Sequence, residues 1–165
     1  MRTVLFAIAL PVLAESVAGL KWTAPSIWKV EGARPMRAAT YALPLSFGDA
    51  GSAECAVYFF GVGQGGSVEA NLDRWKGQIL GPTGKPADAQ IQKRTIHGLP
   101  VTSIDSTGSY AGMGDKTATK NYRLLGAIVQ GPGGNIFVKC TGPAKTISAN
   151  QPQFEQLLNS FDKEK

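Results

Sequence analysis

The chain has 165 residues, 43% of them hydrophobic, with a formal net charge of +5, two cysteines and one histidine. That length suits one domain with a real core, and no second apolar span or internal repeat suggests more. The basic residues are scattered rather than gathered on one aromatic-laced face, which argues against nucleic acid as a partner. A single histidine without a Cys-x-x-Cys pair excludes the common zinc sites, so no metal is expected.

In chain order, Arg2 and the uncharged, mostly apolar stretch from Thr3 to Ala14 have the anatomy of a secretory signal, too short to span a bilayer stably. Cleavage after Ala18 places Ser16 and Ala18 at the small-residue positions, and cleavage after Ala14 places Val12 and Ala14 there. The expected organisation is a signal peptide over residues 1–19 and a single domain over 20–165. The mature protein would be periplasmic or secreted, a monomer with no stable membrane insertion. Trp22-x-x-Pro25-x-x-Trp28 then reads as an aromatic segment clamped across the domain.

Strands are predicted over 37–45 and 54–60. After them comes Gly61-Val-Gly-Gln-Gly-Gly66, a literal G-x-G-x-x-G. In a dinucleotide fold this turn links a parallel strand to its crossover helix, with an acidic residue about 20 positions on. Here Asp88 precedes the next strand instead of ending it, the later strands read as hairpins, and no Gly-Lys-Ser/Thr follows the loop. The glycines are read as a hinge into a helix, and no cofactor is expected. A helix start of this kind still suits a small anion, so Gly63, Gly65, Gly66, Ser67, Asn71 and Arg74 are the candidate ligand- or anion-binding residues.

Ser67 is placed to cap that helix and Glu69 to complement its dipole. Val68, Leu72, Trp75 and Ile79 make its apolar stripe, with Asn71, Arg74 and Gln78 on the adjoining face. Four strands follow, over 90–97, 101–110, 121–130 and 135–141, with short links that imply antiparallel pairing. The loop from Ala111 to Thr119 carries Met113 at its tip. Asn150, Pro152 and Gln153 announce a final helix whose stripe is Phe154, Leu157, Leu158 and Phe161.

The fold class is therefore α+β: a sheet of about six mostly antiparallel strands with two main helices packed on it. Cys55 and Cys140 fall in strands and are a possible disulfide, or two buried thiols. A triad could be written from His97, Asp105 and a serine, but no G-x-S-x-G supports it, and no catalytic residue is assigned.

This element order, closed by the amphipathic helix Phe154-Glu-Gln-Leu-Leu-Asn-Ser-Phe161, resembles the PsbP-like fold, an α/β/α sandwich, from about Trp22 to Phe161. The fold includes the extrinsic photosystem II protein PsbP and many exported bacterial proteins. The resemblance implies a non-enzymatic binding or assembly-supporting module and carries over no functional residue. The leading expectation is an exported, non-catalytic binding or accessory protein of the cell envelope, whose partner is an envelope protein or a small anionic ligand. The alternatives are a small hydrolase or anion-binding enzyme using the glycine loop, with a pocket joining it to His97, Asp105 or Arg74, and a purely structural envelope component.

Overall fold

A computed structural model describes residues 14–165. Arg2 and the apolar run up to residue 13 lie outside the described residues. The elements run β1 (Ala14–Val17), β2 (Leu20–Thr23), β3 (Lys29–Val30), β4 (Arg37–Ala42), β5 (Glu54–Tyr58), α1 (Val68–Lys76), β6 (Ile79–Leu80), β7 (Ala89–Ile96), β8 (Leu99–Tyr110), β9 (Thr119–Gly131), β10 (Gly134–Pro143), α2 (Ala144–Ala149), α3 (Gln151–Asn159) and β11 (Asp162–Lys163).

The main sheet is antiparallel throughout, in the order β3-β4-β5-β10-β9-β8-β6, with β7 on the same edge of β8 as β6. The six long strands expected from the sequence all form, and the two-residue strands β3 and β6 widen the sheet to eight. Neither short strand offers enough residues to display a period of two, so alternation could not announce them. A second sheet, β1-β2-β11, was not foreseen. It opens with a two-residue hairpin loop, Ala18-Gly19, both residues at positive φ (55° and 75°), as tight hairpins require.

Side chains alternate across the strands and sort the core into two clusters. On one face, Cys55, Val57, Leu125, Ala127, Val138 and Cys140 meet the stripe of α3 and the aromatic N-terminal segment. All four predicted stripe residues of α3 are buried, and Ile147 of α2 joins them. Trp22 stacks on Phe161 at 5.3 Å and donates its Nε1–H to the Tyr41 hydroxyl at 2.8 Å. Trp28 donates to Asn150 Oδ1 at 2.9 Å. On the other face, Leu72 and Trp75 of α1 cover Ile104, Leu124, Ile128 and Phe137. The result is an α/β/α sandwich.

Two predicted details are corrected. Helix α1 ends at Lys76 with Gly77 as its cap, and Ile79, expected to continue the stripe, is buried from strand β6 instead. Asn150 stands at the start of α3 but its side chain makes no cap. Its amide bonds Pro44 O and Thr146 O while its carbonyl accepts from Trp28, so tertiary partners displace the local cap.

Cys55 and Cys140 stand directly opposite each other on β5 and β10 and form a disulfide. The Cα separation of 3.9 Å, together with the shared face, answers the question that spacing left open.

Candidate functional site

The glycine loop joins strand β5 to helix α1 in an antiparallel sheet, and no βαβ unit occurs among the described residues. Gly61, Gly63, Gly65 and Gly66 all hold positive φ. Gly65 is required for a second reason: a Cβ there would lie 2.7 Å from the Phe60 ring and 2.9 Å from the Phe137 ring. Ser67 caps α1 as predicted, its Oγ accepting from Ala70 N–H at 3.1 Å.

Asn71 is fully buried, and its amide donates to Gly65 O at 2.7 Å and Ser67 O at 2.8 Å, while its Oδ1 accepts from Arg74. Every polar atom of that side chain thus serves the loop and helix. Of the six residues singled out in the sequence, Arg74 lines the aromatic cavity beside α1, and Ser67 lines a separate hollow of about 370 Å³ at the start of α1 with Lys93 and Arg94. Gly65 packs behind the Phe60 and Phe137 rings that line the aromatic cavity, and Asn71 holds Arg74, whereas Gly63 and Gly66 do not line it.

That cavity, about 480 Å³, lies beside α1 on the face of the sheet that α1 only partly covers. Its floor is aromatic. Tyr58 and Phe60 stack at 5.8 Å with an interplanar angle of 15°, and Phe60 meets Phe137 at 5.5 Å. Trp75 and Tyr110 complete the walls, and the exposed Met36 and Met113 stand at the rim.

The cavity exists because small residues flank its base. Lys139 on β10 pairs with Ala56 on one side and Gly126 on the other. Gly126 lets Trp75 settle on the sheet, since a Cβ there would lie 2.6 Å from the indole.

Lys139 is the unusual residue. It shares its face with Phe137, and burial is the main cause that lowers its pKa to about 8, with the positive Arg74 and Arg37 adding to the shift and Glu54 and Asp115 opposing it. Its Nζ donates to Gln78 Oε1 at 2.6 Å and to the Tyr110 hydroxyl at 3.0 Å, and lies 5.1 Å from the Tyr110 ring centre. Burial, foremost, pushes the Tyr110 pKa up to about 12, so the phenol stays neutral beside the lysine.

No carboxylate pairs with Lys139 or Arg74 among the described residues, whereas Arg34 and Arg37 share Glu54 and Arg123 holds Asp105. An ammonium on an aromatic floor, with at least one N–H unused and a second cation beside it, can recognise an anion and orient it.

The other candidates lie elsewhere. Asp105 faces α3, where Arg123 grips it with two bonds of 2.8 and 2.7 Å and also reaches Ser148 and Gln151. That network braces the sheet against α2 and α3. The exposed His97 sits in the β7–β8 turn at φ 46°, its Nδ1 2.8 Å from Phe161 O, as an Nδ1–H donor. Neither shares the cavity with Arg74, so the pocket that would join them to the glycine loop does not form. No cluster of three or more His, Cys, Asp or Glu side chains that could hold a metal occurs among the described residues.

Sequence reasoning found Arg74, Trp75 and Gln78 but counted Lys139 among scattered surface charges. Its signal was present: in Ile136-Phe-Val-Lys-Cys140 it is the one charge in an otherwise apolar strand. A hollow of about 750 Å³ between the Gly81–Asp88 turn and the ends of β8 and β9 is larger, but no aromatic side chain lines it.

No family model matches the chain, and no curated protein resembles it in sequence. Solved structures do resemble it in fold. The solution structure of the cyanobacterial PsbP of Synechocystis sp. PCC 6803 aligns with a TM-score of 0.55 at 11% identity, covering 98% of each chain. A Pseudomonas aeruginosa protein of unknown function, described as a putative regulator, aligns at 0.54 and 13% identity over 93% of this chain and 97% of its own. A Bacteroides thetaiotaomicron structure aligns at 0.50 and 12% identity over 91% of this chain and 47% of its own. At such identities the likeness speaks for the fold alone, and it establishes that fold as PsbP-like.

Proposed function

We propose that this is an exported, non-catalytic binding or accessory protein of the cell envelope, and that its ligand site is the cavity between α1 and the sheet. The observation that carries the reading is the pair of cations, Lys139 and Arg74, left without a carboxylate above an aromatic floor. A folded chain does not keep an ammonium against apolar surface for stability, because burial disfavours the charged form. The Cys55–Cys140 bridge supports an oxidising compartment.

The fold favours cleavage after Ala14 over cleavage after Ala18. The later cut would fall inside the Ala18-Gly19 turn and remove β1, whose Glu15 lies opposite Trp22. Intact-mass analysis of the protein from its own envelope checks this: a mature chain starting at Glu15 is expected, and a start at Gly19 would refute it. The binding reading is tested by thermal-shift screening of wild type and Lys139→Met against an envelope small-molecule extract. Stabilisation of wild type alone is expected, and no stabilisation by any fraction would sink the proposal.

A further inference from the structure

Resting on that reading of the cavity, we infer that its ligand is a small organic anion with a flat apolar body, such as an aromatic carboxylate, seated on Lys139 and closed over by Met36 and Met113. The head of the site is fixed. Gln78 and Tyr110 take two of the three Lys139 N–H donors and leave one for the ligand. Arg74 is exposed at the cavity mouth, with only its Nη2 engaged by Asn71, so its other donors can share a bidentate acceptor.

The body of the site is fixed as well. Tyr58 and Phe60 offer near-parallel rings, and apolar lining exceeds what an inorganic anion would use. A cavity of about 480 Å³ is large enough for a ring system and far larger than a phosphate needs.

The rim supplies the third observation. Met36 follows Pro35 in a tight turn closed by Arg37 N–H to Arg34 O at 3.3 Å, and its φ is 63°. This is the turn position where glycine is unstrained, yet it carries a long side chain that is 67% exposed at the cavity edge. Met113, 84% exposed, reaches the same cavity from the β8–β9 loop on the other side. Two unbranched, polarizable thioethers on facing loops make an adaptable cover for an apolar body.

Titration calorimetry with naphthoate, its neutral isostere naphthamide, and inorganic phosphate tests the inference. Naphthoate should bind about tenfold or more tightly than either of the other two. Lys139→Met should weaken naphthoate about tenfold or more, Lys139→Arg should recover part of the loss, and circular dichroism should show both variants folded. Met36→Ala with Met113→Ala should weaken naphthoate and leave phosphate unchanged.

Naphthoate affinity should also fall as pH rises through about 8, where Lys139 loses its proton among Arg74, Arg37, Glu54, Asp115 and Tyr110, and Lys139→Met should abolish that dependence. Phosphate or naphthamide matching naphthoate, or naphthoate binding unchanged in Lys139→Met, overturns the organic-anion inference. The wider reading then stands if any probe or extract fraction still binds in a manner sensitive to Phe60→Ala. If nothing binds wild type, both fall.

Discussion

The two faces of the main sheet have been put to different uses. The face under α2, α3 and the N-terminal segment carries the larger cluster, holds three interlocked aromatic residues in Trp22, Tyr41 and Phe161, and ties the Trp22 and Trp28 indoles to Tyr41 and Asn150. The face under α1 carries a smaller cluster, an unpaired lysine and a cavity. A single helix of nine residues cannot cover an eight-stranded sheet, and the uncovered remainder is where the cavity opens. The tightly packed core and the proposed ligand site lie on opposite sides of one sheet.

Four changes would break or sharpen that contrast. The largest effect is expected from Phe161→Ala on the covered face, which removes a fully buried ring stacked on Trp22 and should cost about 3–5 kcal/mol in urea unfolding. Its effect on ligand affinity should be small, and a large one would mean that the faces are coupled.

Next comes the disulfide, also on the covered face. Cys55→Ser with Cys140→Ser frees a loop of sequence separation 85 and should lower stability by about 2–4 kcal/mol, measured against wild type with and without reductant. An unchanged midpoint would show that the sheet alone fixes the register.

On the open face, Lys139→Met should be close to neutral or mildly stabilising at pH 7, because it trades a buried charge for an apolar side chain. The pH profile is the sharper readout. In the unfolded chain this lysine keeps its proton up to about 10.5, while in the fold it gives it up above about 8. Between those values the unfolded state binds more protons, so stability rises with pH, and below them the cost of the buried charge is present in full. The profile is best followed up to about pH 9.5, because Tyr41, Tyr58 and Tyr110 have raised pKa values and withdraw stability once the unfolded phenols ionise. The rise should vanish in Lys139→Met.

Smaller than the swing of that pH profile is the effect expected from Met36→Gly, which relieves the positive φ and should stabilise by about 1 kcal/mol in thermal unfolding. No gain would mean that the turn accommodates methionine without strain.

What the sequence made legible follows from distance along the chain. The six long strands and the stripes of α1 and α3 each repeat with their own period, so local reading finds them. Helix α2, six residues long with no side-chain cap, has no such repeat. The small sheet was hidden because β1 falls in a stretch that reads as a cleavage region and β11 is two residues long, too short to show a period. Lys139 needed knowledge of which residues share its face, which follows from pairing with β5 and β9, segments far away in sequence. Asn71 and Arg74 were adjacent on a helix face in any reading. Only the buried loop carbonyls distinguish the one that braces from the one that is free.

The small sheet has a consequence for how the chain comes together. Strand β2 has one neighbour at residues 14–17 and the other at 162–163, and Trp22 stacks on Phe161. The pairing with β11 and the stack on Phe161 join segments separated by most of the chain, and such long loops close late. The large aromatic cluster therefore cannot assemble until nearly the whole polypeptide has left the ribosome.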